Sequence, residues 1–367
     1  MRRRSLLLTG VSLLTQCRSV STMTVPSVKL NDGSLHPIVG TPLLMHHATP
    51  HTLRHRQLNF FPRASARDRT SGYGTYKVGV VPSSASSAVA AGSTETEAVN
   101  PADCVAKALE LGYRFIDCAE FYANEKAVGE GIKRSGVPRS ELFIASKVWT
   151  TTIHAGPEAV QAQLDRTLSE LGTDYLDLYC IHWPVPGHHV AAYQQLEKAK
   201  AKGQIRTLGV SNYAVEDFQE LMAGGATVTP AINQIEINPF LYRKNTIAFF
   251  KGQGVEMQSY RTLRDGKAFD DPAIAAIAQK LGKSPAQVLG RWCVQHGFIA
   301  IPKSVKAHRM EENLALFDFE LPAEDMAALD ALTTPDAIAK YVELYRKCVI
   351  RDTPLGPEGI KMAITED

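Results

Sequence analysis

Short apolar runs alternate with amphipathic stretches along most of this chain. The runs are TYKVGVV (75–81), RFIDCA (114–119), LFIASKVW (142–149), YLDLYCIHW (175–183), IRTLGVSN (205–212), AINQIEIN (231–238), VEMQSY (255–260) and FIAIPKS (298–304). Continuous apolar runs of this length, rich in β-branched and aromatic residues, read as buried strands. Between them lie PADCVAKALELG, PEAVQAQLDRTLSELG, VAAYQQLEKAKAKG, VEDFQELMAGG, RKNTIAFFKGQG and SPAQVLGRWCVQHG, with apolar residues at helical spacing. The last carries its own punctuation, with Ser284 at the N-cap, Pro285 at the first helical position and Gly297 past the end. Eight strands separated by helices predict an α/β fold, a (β/α)8 TIM barrel. A doubly wound sheet is the structural competitor. It lacks its fingerprint here, because GEGIKRSG (129–136) does not have the G-x-G-x-x-G spacing after a strand.

The flanks break this rhythm. VKLNDGSLHPIVG predicts a hairpin around Asn31-Asp32-Gly33, placed in residues 23–40 and closing the bottom of the barrel. Residues 1–22 form a basic leader whose apolar run is too short to span a bilayer. It reads as a secretory signal, an organellar presequence, or a segment upstream of a natural start at Met23. Residues 41–72, which contain MHHATPHTLRHRQ, have neither helical nor strand period. They interrupt a pattern that otherwise runs from HPIVG to YGTYKVG, so they read as a gene-model artefact or a disordered insertion. A loop of small residues, SSASSAVAAGSTETEAVN, follows the first run. The barrel is expected over 73–335, with a C-terminal helix and tail over 336–367.

Charge and cysteine content narrow the classes. Residues 1–22 carry four arginines and no acid, and residues 41–72 carry five arginines against Asp68. Each flank contributes +4, so the remaining chain is at −6 within a net charge of +2. Nucleic-acid binding by the body of the protein is therefore not expected. The 6 cysteines form no CxxC pair and read as free thiols of a reducing compartment. Cytoplasmic localisation is expected, with organellar or secreted as the alternative if the leader targets. No membrane partner is expected, and the chain should be a monomer or weak dimer.

Barrel enzymes place their chemistry at the C-terminal ends of the strands. Polar residues stand there one strand after another: Asp117, Lys147, His182, Ser211 with Asn212, Gln234, Tyr260, and Lys303 with Ser304. The run GYRFIDCAEFYANEKAVG, followed by SKVW, IHWP, GVSN, NQIEINP and IPKS, resembles the aldo-keto reductase family. That resemblance extends from Val25 to about Leu332 and implies a (β/α)8 barrel that reduces aldehydes or ketones with NADPH, releasing NADP+. It implies a catalytic set of Asp117, Tyr122, Lys147 and His182. Carbonyl reduction needs a proton donor facing the carbonyl oxygen. A lysine ammonium beside Tyr122 would ease its ionisation, Asp117 would hold Lys147 charged, and neutral His182 would polarise the carbonyl.

The resemblance also implies the cofactor contacts. Ser211, Asn212 and Gln234 would hydrogen-bond the nicotinamide carboxamide, with Tyr260 stacked on the ring, and Thr75, Asp117 and Leu263 would be further cofactor contacts. Lys303, Ser304 and Arg309 would take the 2′-phosphate, and Glu312 and Asn313 the adenine. The sequence departs from the family after Tyr260, where Arg261 and Arg264 either clamp a pyrophosphate or pair with surface acids. Tyr76, Tyr122, Trp149, His182 and Trp183 are the expected substrate wall, suited to small aldehydes or open-chain sugars. His188 and His189 lack the further ligands a zinc site needs, so no metal is expected. The alternative to an enzyme is a cofactor-binding regulatory subunit of the same fold.

Overall fold

The computed structural model describes residues 27–37, 72–79 and 99–351, with side chains to residue 343. The leader, nearly all of the 41–72 stretch, the small-residue loop and the tail past residue 351 lie outside the described residues. The chain enters through the expected hairpin, β1 (Ser27–Lys29) and β2 (Leu35–Pro37), paired antiparallel. Asp32 accepts from the Ser34 amide at 3.0 Å, and Gly33 takes a φ of +82°. That left-handed conformation suits glycine, which has no Cβ to clash.

Eight parallel strands follow in sequential order: β3 (Gly72–Gly74), β4 (Phe115–Asp117), β5 (Phe143–Val148), β6 (Leu176–Ile181), β7 (Ile205–Ser211), β8 (Ile232–Glu236), β9 (Glu256–Tyr260) and β10 (Ile299–Ala300). The order never reverses, which excludes the doubly wound sheet. The two ends meet where the Gly74 amide donates to the Pro302 carbonyl at 3.3 Å, so the sheet is a nearly closed barrel.

The first strand differs from the expectation. Residues 75–79 of TYKVGVV form a turn, and the strand is the preceding Gly-Tyr-Gly. The barrel therefore begins at Gly72, one residue earlier than the sequence pattern placed it. The reason is the seam. A Cβ on Gly72 would lie 2.7 Å from Ile301 Cγ2 and from Phe115 Cδ1. Glycine, a poor strand former by propensity, is what the closing contact admits.

The connecting helices are α1 (Pro101–Glu110), α2 (Glu125–Ser135), α3 (Thr150–Ala155), α4 (Pro157–Leu171), α5 (His189–Ala201), α6 (Val215–Ala223), α7 (Lys244–Gly252), α8 (Pro272–Leu281) and α9 (Pro285–Gln295). They are followed by α10 (Ala307–Leu314), α11 (Ala323–Asp330) and α12 (Pro335–Arg351). Ser284 caps α9 in a reciprocal capping box with Gln287, as its sequence predicts. The pattern did not announce α2, whose two glycines lower its propensity. A Cβ on Gly131 would sit 2.6 Å from the Ala102 carbonyl, so close packing on α1 outweighs that cost.

The strands alternate between two cores. Phe115, Ala145, Leu178, Cys180, Ile232 and Ile299 fill the barrel interior, where Leu30 of the hairpin joins them. Ile116, Ile144, Tyr179 and Ile181 face the helices. This period of two is what a sheet covered on both faces requires.

Glu125 of α2 is buried between the barrel and the helices. It accepts from Ser146 Oγ at 2.5 Å and Thr167 Oγ1 at 2.9 Å. Burial pushes its carboxyl up to about 7, against the pull of those two hydroxyls. A carboxyl raised on folding favours the native state most below its unfolded pKa, and that contribution is lost as pH rises through about 7. Glu125→Gln keeps partners for both hydroxyls and removes the titration. The variant should therefore gain stability relative to wild type between pH ~5 and ~8, by up to about 3 kcal/mol. Urea unfolding at the two pH values measures this, and a constant difference between the proteins would refute it.

Candidate active site

The C-terminal ends of the barrel strands open into a cleft of about 620 Å³. Its floor is a buried polar cluster. Lys147, pointing inward from β5, donates to Asp117 Oδ2 at 2.7 Å, to the Cys118 carbonyl at 2.8 Å and to Tyr122 Oη at 3.3 Å. Both charged side chains are sealed, at 1% and 3% exposure. Burial alone would favour neutral lysine, but Asp117 and then Tyr122 more than offset it and raise the Lys147 pKa. The ammonium thus stays charged at the barrel axis.

Tyr122 ends a short 3-10 turn, Glu120–Tyr122, stopped by Ala123 at a φ of +53°. Asn124 fastens this turn to the one after β3 by donating to the Thr75 and Val78 carbonyls. Burial pushes the Tyr122 phenol above its ordinary value, and Lys147 pulls it partly back. The expected easing by lysine is real in sign, and desolvation exceeds it. His182 follows β6 and is buried, its ring 5.7 Å from that of Tyr122. Burial, then the Lys147 charge, hold its pKa well below the usual histidine value. The site therefore presents a protonated phenol and a neutral imidazole side by side above an ammonium. That arrangement can deliver a proton to a carbonyl oxygen and hydrogen-bond it at the same time.

The cleft brings together most of the residues singled out in the sequence. Tyr76, Asp117, Tyr122, Trp149, His182, Trp183, Ser211, Asn212, Gln234, Tyr260, Leu263, Lys303, Ser304, Arg309, Glu312 and Asn313 all border it. Lys147 lies beneath, behind Tyr122. Thr75 lies behind the wall instead of on it, with its hydroxyl donated to the Asp117 carbonyl at 2.8 Å. Ser211 donates to the Gln234 carbonyl at 2.8 Å, and Asn212 is held at both ends by His182, Ser211 and Tyr260. Asn212 has a φ of +60°, which turns the chain sharply at the strand end. The ring of Tyr260 borders the cleft while its hydroxyl is anchored. Lys303, Ser304 and Arg309 gather at the entry to α10, a donor set that fits a phosphate.

The two arginines after Tyr260 bind protein groups. Arg261 pairs with Glu236 at 3.0 Å and with Asp265 at 3.3 Å, whereas Arg264 lies 4.5 Å above the Phe240 ring. His188 and His189 diverge. His189 turns inward to Tyr213 at 2.7 Å, and His188 packs against His154. Among the described residues, no three metal-binding side chains gather.

Phe121 and Tyr341 are among the wall residues that were not anticipated. Phe121 stacks on Trp149 with ring centroids 3.9 Å apart, and only its position beside Tyr122 hinted at this. Tyr341 comes from α12, whose Ile338 and Tyr341 pack with Ala214 and Leu241. The apolar spacing of Ile338, Tyr341 and Val342 could have found it, whereas the expectation over 336–367 was only a C-terminal helix and tail.

The sequence profile described as "Aldo/keto reductase family" matches residues 72–334. Glyoxal reductase of Bacillus subtilis is 44% identical over 236 residues, 64% of this chain and 84% of that protein. Methylglyoxal reductase DkgB of Escherichia coli O157:H7 is 40% identical, over 64% of this chain and 88% of its own length. An aldo/keto reductase from Brucella melitensis superposes with a TM-score of 0.66 at 32% identity, covering 84% of this chain and all of that one. A Bombyx mori aldo-keto reductase in complex with NADP superposes at 0.67, with 28% identity over 85% of this chain and 94% of its own. This chain belongs to the aldo/keto reductase family.

Proposed function

We propose that the protein reduces small 2-oxoaldehydes, with glyoxal and methylglyoxal as the leading candidates, to hydroxycarbonyl products. It is an NADP-dependent oxidoreductase that reduces carbonyl groups. The observation that carries the chemistry is the Tyr122 hydroxyl 3.3 Å from a charged Lys147, facing the cleft beside a neutral His182. The substrate class is supported by the named activities of the two bacterial relatives. The regulatory-subunit alternative has no observation in its favour.

Bound NADPH supplies the hydride. Ser304, Lys303 and Arg309 would hold its 2′-phosphate, Glu312 and Asn313 its adenine, and Tyr260 with Gln234, Ser211 and Asn212 its nicotinamide end. His182 donates a hydrogen bond to the substrate oxygen and fixes which way the carbonyl points. Tyr122 passes its proton to that oxygen as negative charge develops there, and Lys147 stabilises the resulting phenolate. Asp117 keeps Lys147 charged. Trp149, Phe121 and Tyr76 shield the reacting group from water.

We also read the protein as cytosolic and monomeric or weakly dimeric. Cys104, Cys118, Cys180 and Cys293 are buried free thiols, which suits a reducing compartment. Leu35 is the exposed large hydrophobic residue among those described, so no broad apolar face asks for a partner. No helix among the described residues is long and apolar enough to cross a membrane.

Tyr122→Phe should lower kcat/KM for methylglyoxal by roughly 10²- to 10⁴-fold, the usual worth of a general acid, while NADPH binding persists. Equal rates for variant and wild type, followed as NADPH oxidation, would sink the mechanism. The direction of the Tyr122 shift fixes a second expectation. Reduction uses the phenol, which stays protonated, so this group should give a flat profile from pH ~6 to ~9. The reverse reaction needs the phenolate, so alcohol oxidation should climb by about tenfold per pH unit below the tyrosine pKa. An oxidation rate independent of pH would contradict the assignment of Tyr122.

A further inference from the structure

The polar floor of the cleft does not stop at Asp117. Gln234 Nε2 donates to Asp117 Oδ1 at 2.9 Å and to Gln258 Oε1 at 2.5 Å. Gln258, fully buried in β9, meets His36 Nε2 through its own Nε2 at 3.3 Å. His36 belongs to the hairpin strand β2, and it is sealed in the barrel bottom between Phe115 and Phe143, at centroid distances of 4.8 and 4.3 Å. An unbroken line of side chains therefore runs from hairpin to cleft: His36, Gln258, Gln234, Asp117, Lys147 and Tyr122.

The line has a polarity. A carboxylate only accepts, so the atom that Gln234 turns to Asp117 is its nitrogen. The second hydrogen of that nitrogen goes to Gln258, whose oxygen is thereby committed. Gln258 can then offer His36 only an N–H. His36 Nε2 must accept it, which makes the ring neutral with its proton on Nδ1. With both hydrogens of Gln234 spent, its Oε1 is the atom left for the cleft that Gln234 borders.

We propose that His36 and Gln258 are positioning residues that hold the Gln234 amide with its oxygen toward the cleft, ready to accept from the carboxamide N–H of a nicotinamide. The hairpin is thus part of the cofactor site as well as a plug for the barrel. Without the Gln258 acceptor, the Gln234 amide is tethered at one corner and can rotate about the Asp117 contact. His36 secures the far end, because a group there that could not accept would free Gln258 to turn over. This role rests on the nicotinamide dinucleotide reading given above.

The test compares two ligands by calorimetry: NADP+, and 2′,5′-ADP, which has the adenine and its phosphate but no nicotinamide. Gln258→Met should weaken NADP+ binding by about three- to tenfold, the worth of one hydrogen bond, and leave 2′,5′-ADP unchanged. His36→Phe keeps the ring packing against Phe115 and Phe143 and should shift the ratio of affinities the same way. Gln258→Glu still accepts from Gln234 and should restore the wild-type ratio. An unchanged ratio in Gln258→Met and His36→Phe, or equal weakening of both ligands, would overturn the proposal. Wild-type protein that binds both ligands equally would instead overturn the dinucleotide reading, and this inference with it.

Discussion

Everything at the mouth of this barrel hangs on one buried ion pair, Lys147 with Asp117 at 2.7 Å. A lysine sealed in an apolar barrel would lose its charge if left alone. Lys147 stays ionised because Asp117 is there. Removing one member of such a pair typically costs about 3–5 kcal/mol, since the survivor is left charged without compensation. The pair therefore has to be built into rigid elements, and it is. Asp117 and Lys147 stand on adjacent strands, β4 and β5, whose register is fixed by parallel pairing. Tyr122 then needs only a short turn to bring its hydroxyl within reach of the ammonium.

The same pair organises what surrounds it. Asp117 has two oxygens and spends one on Lys147 and the other on Gln234, so the Tyr122 side and the Gln234 side of the floor share one carboxylate. The Lys147 charge also helps keep His182 neutral. A cation at the floor thus pulls on the two groups above it in opposite senses, within shifts that burial dominates. It draws the phenol toward ionisation and the imidazole away from it. In the proposed reaction that division suits one residue to giving up a proton and its neighbour to offering only a hydrogen bond.

Much of this was legible in the sequence, and the exceptions share a cause. Seven strand ends carried polar residues in register with a barrel, and Asp117, Lys147, His182 and Gln234 do converge there. What strand periodicity could not show was any feature governed by contact across the fold. Gly72–Gly74 looks unlike a strand until the seam against Ile301 explains the missing side chains. The glycines of α2 hide a helix for the same reason. Arg261 and Arg264 stood open between phosphate and protein partners, and only geometry shows Glu236, Asp265 and Phe240 beside them. Thr75 sits one layer behind the wall that the motif implied. The 41–71 stretch, whose histidines stand out most in the sequence, lies outside the described residues.

The profile match to the family ends at residue 334 and begins at 72, yet the cleft is not confined to that span. Past its end, α12 returns across the mouth and sets Tyr341 into the wall, over the guanidinium of Arg243 at 4.6 Å. Ahead of its start, the hairpin reaches the floor from below through His36. The barrel supplies the charged pair and the strand ends, features that must be rigid because small displacements would break buried hydrogen bonds. The hairpin and α12 lie at the two ends of the same axis, where His36 and Tyr341 meet the site without touching the ion pair. A change of side chain in either segment should therefore alter how a ligand is received more than it disturbs the strands, which the buried ion pair constrains.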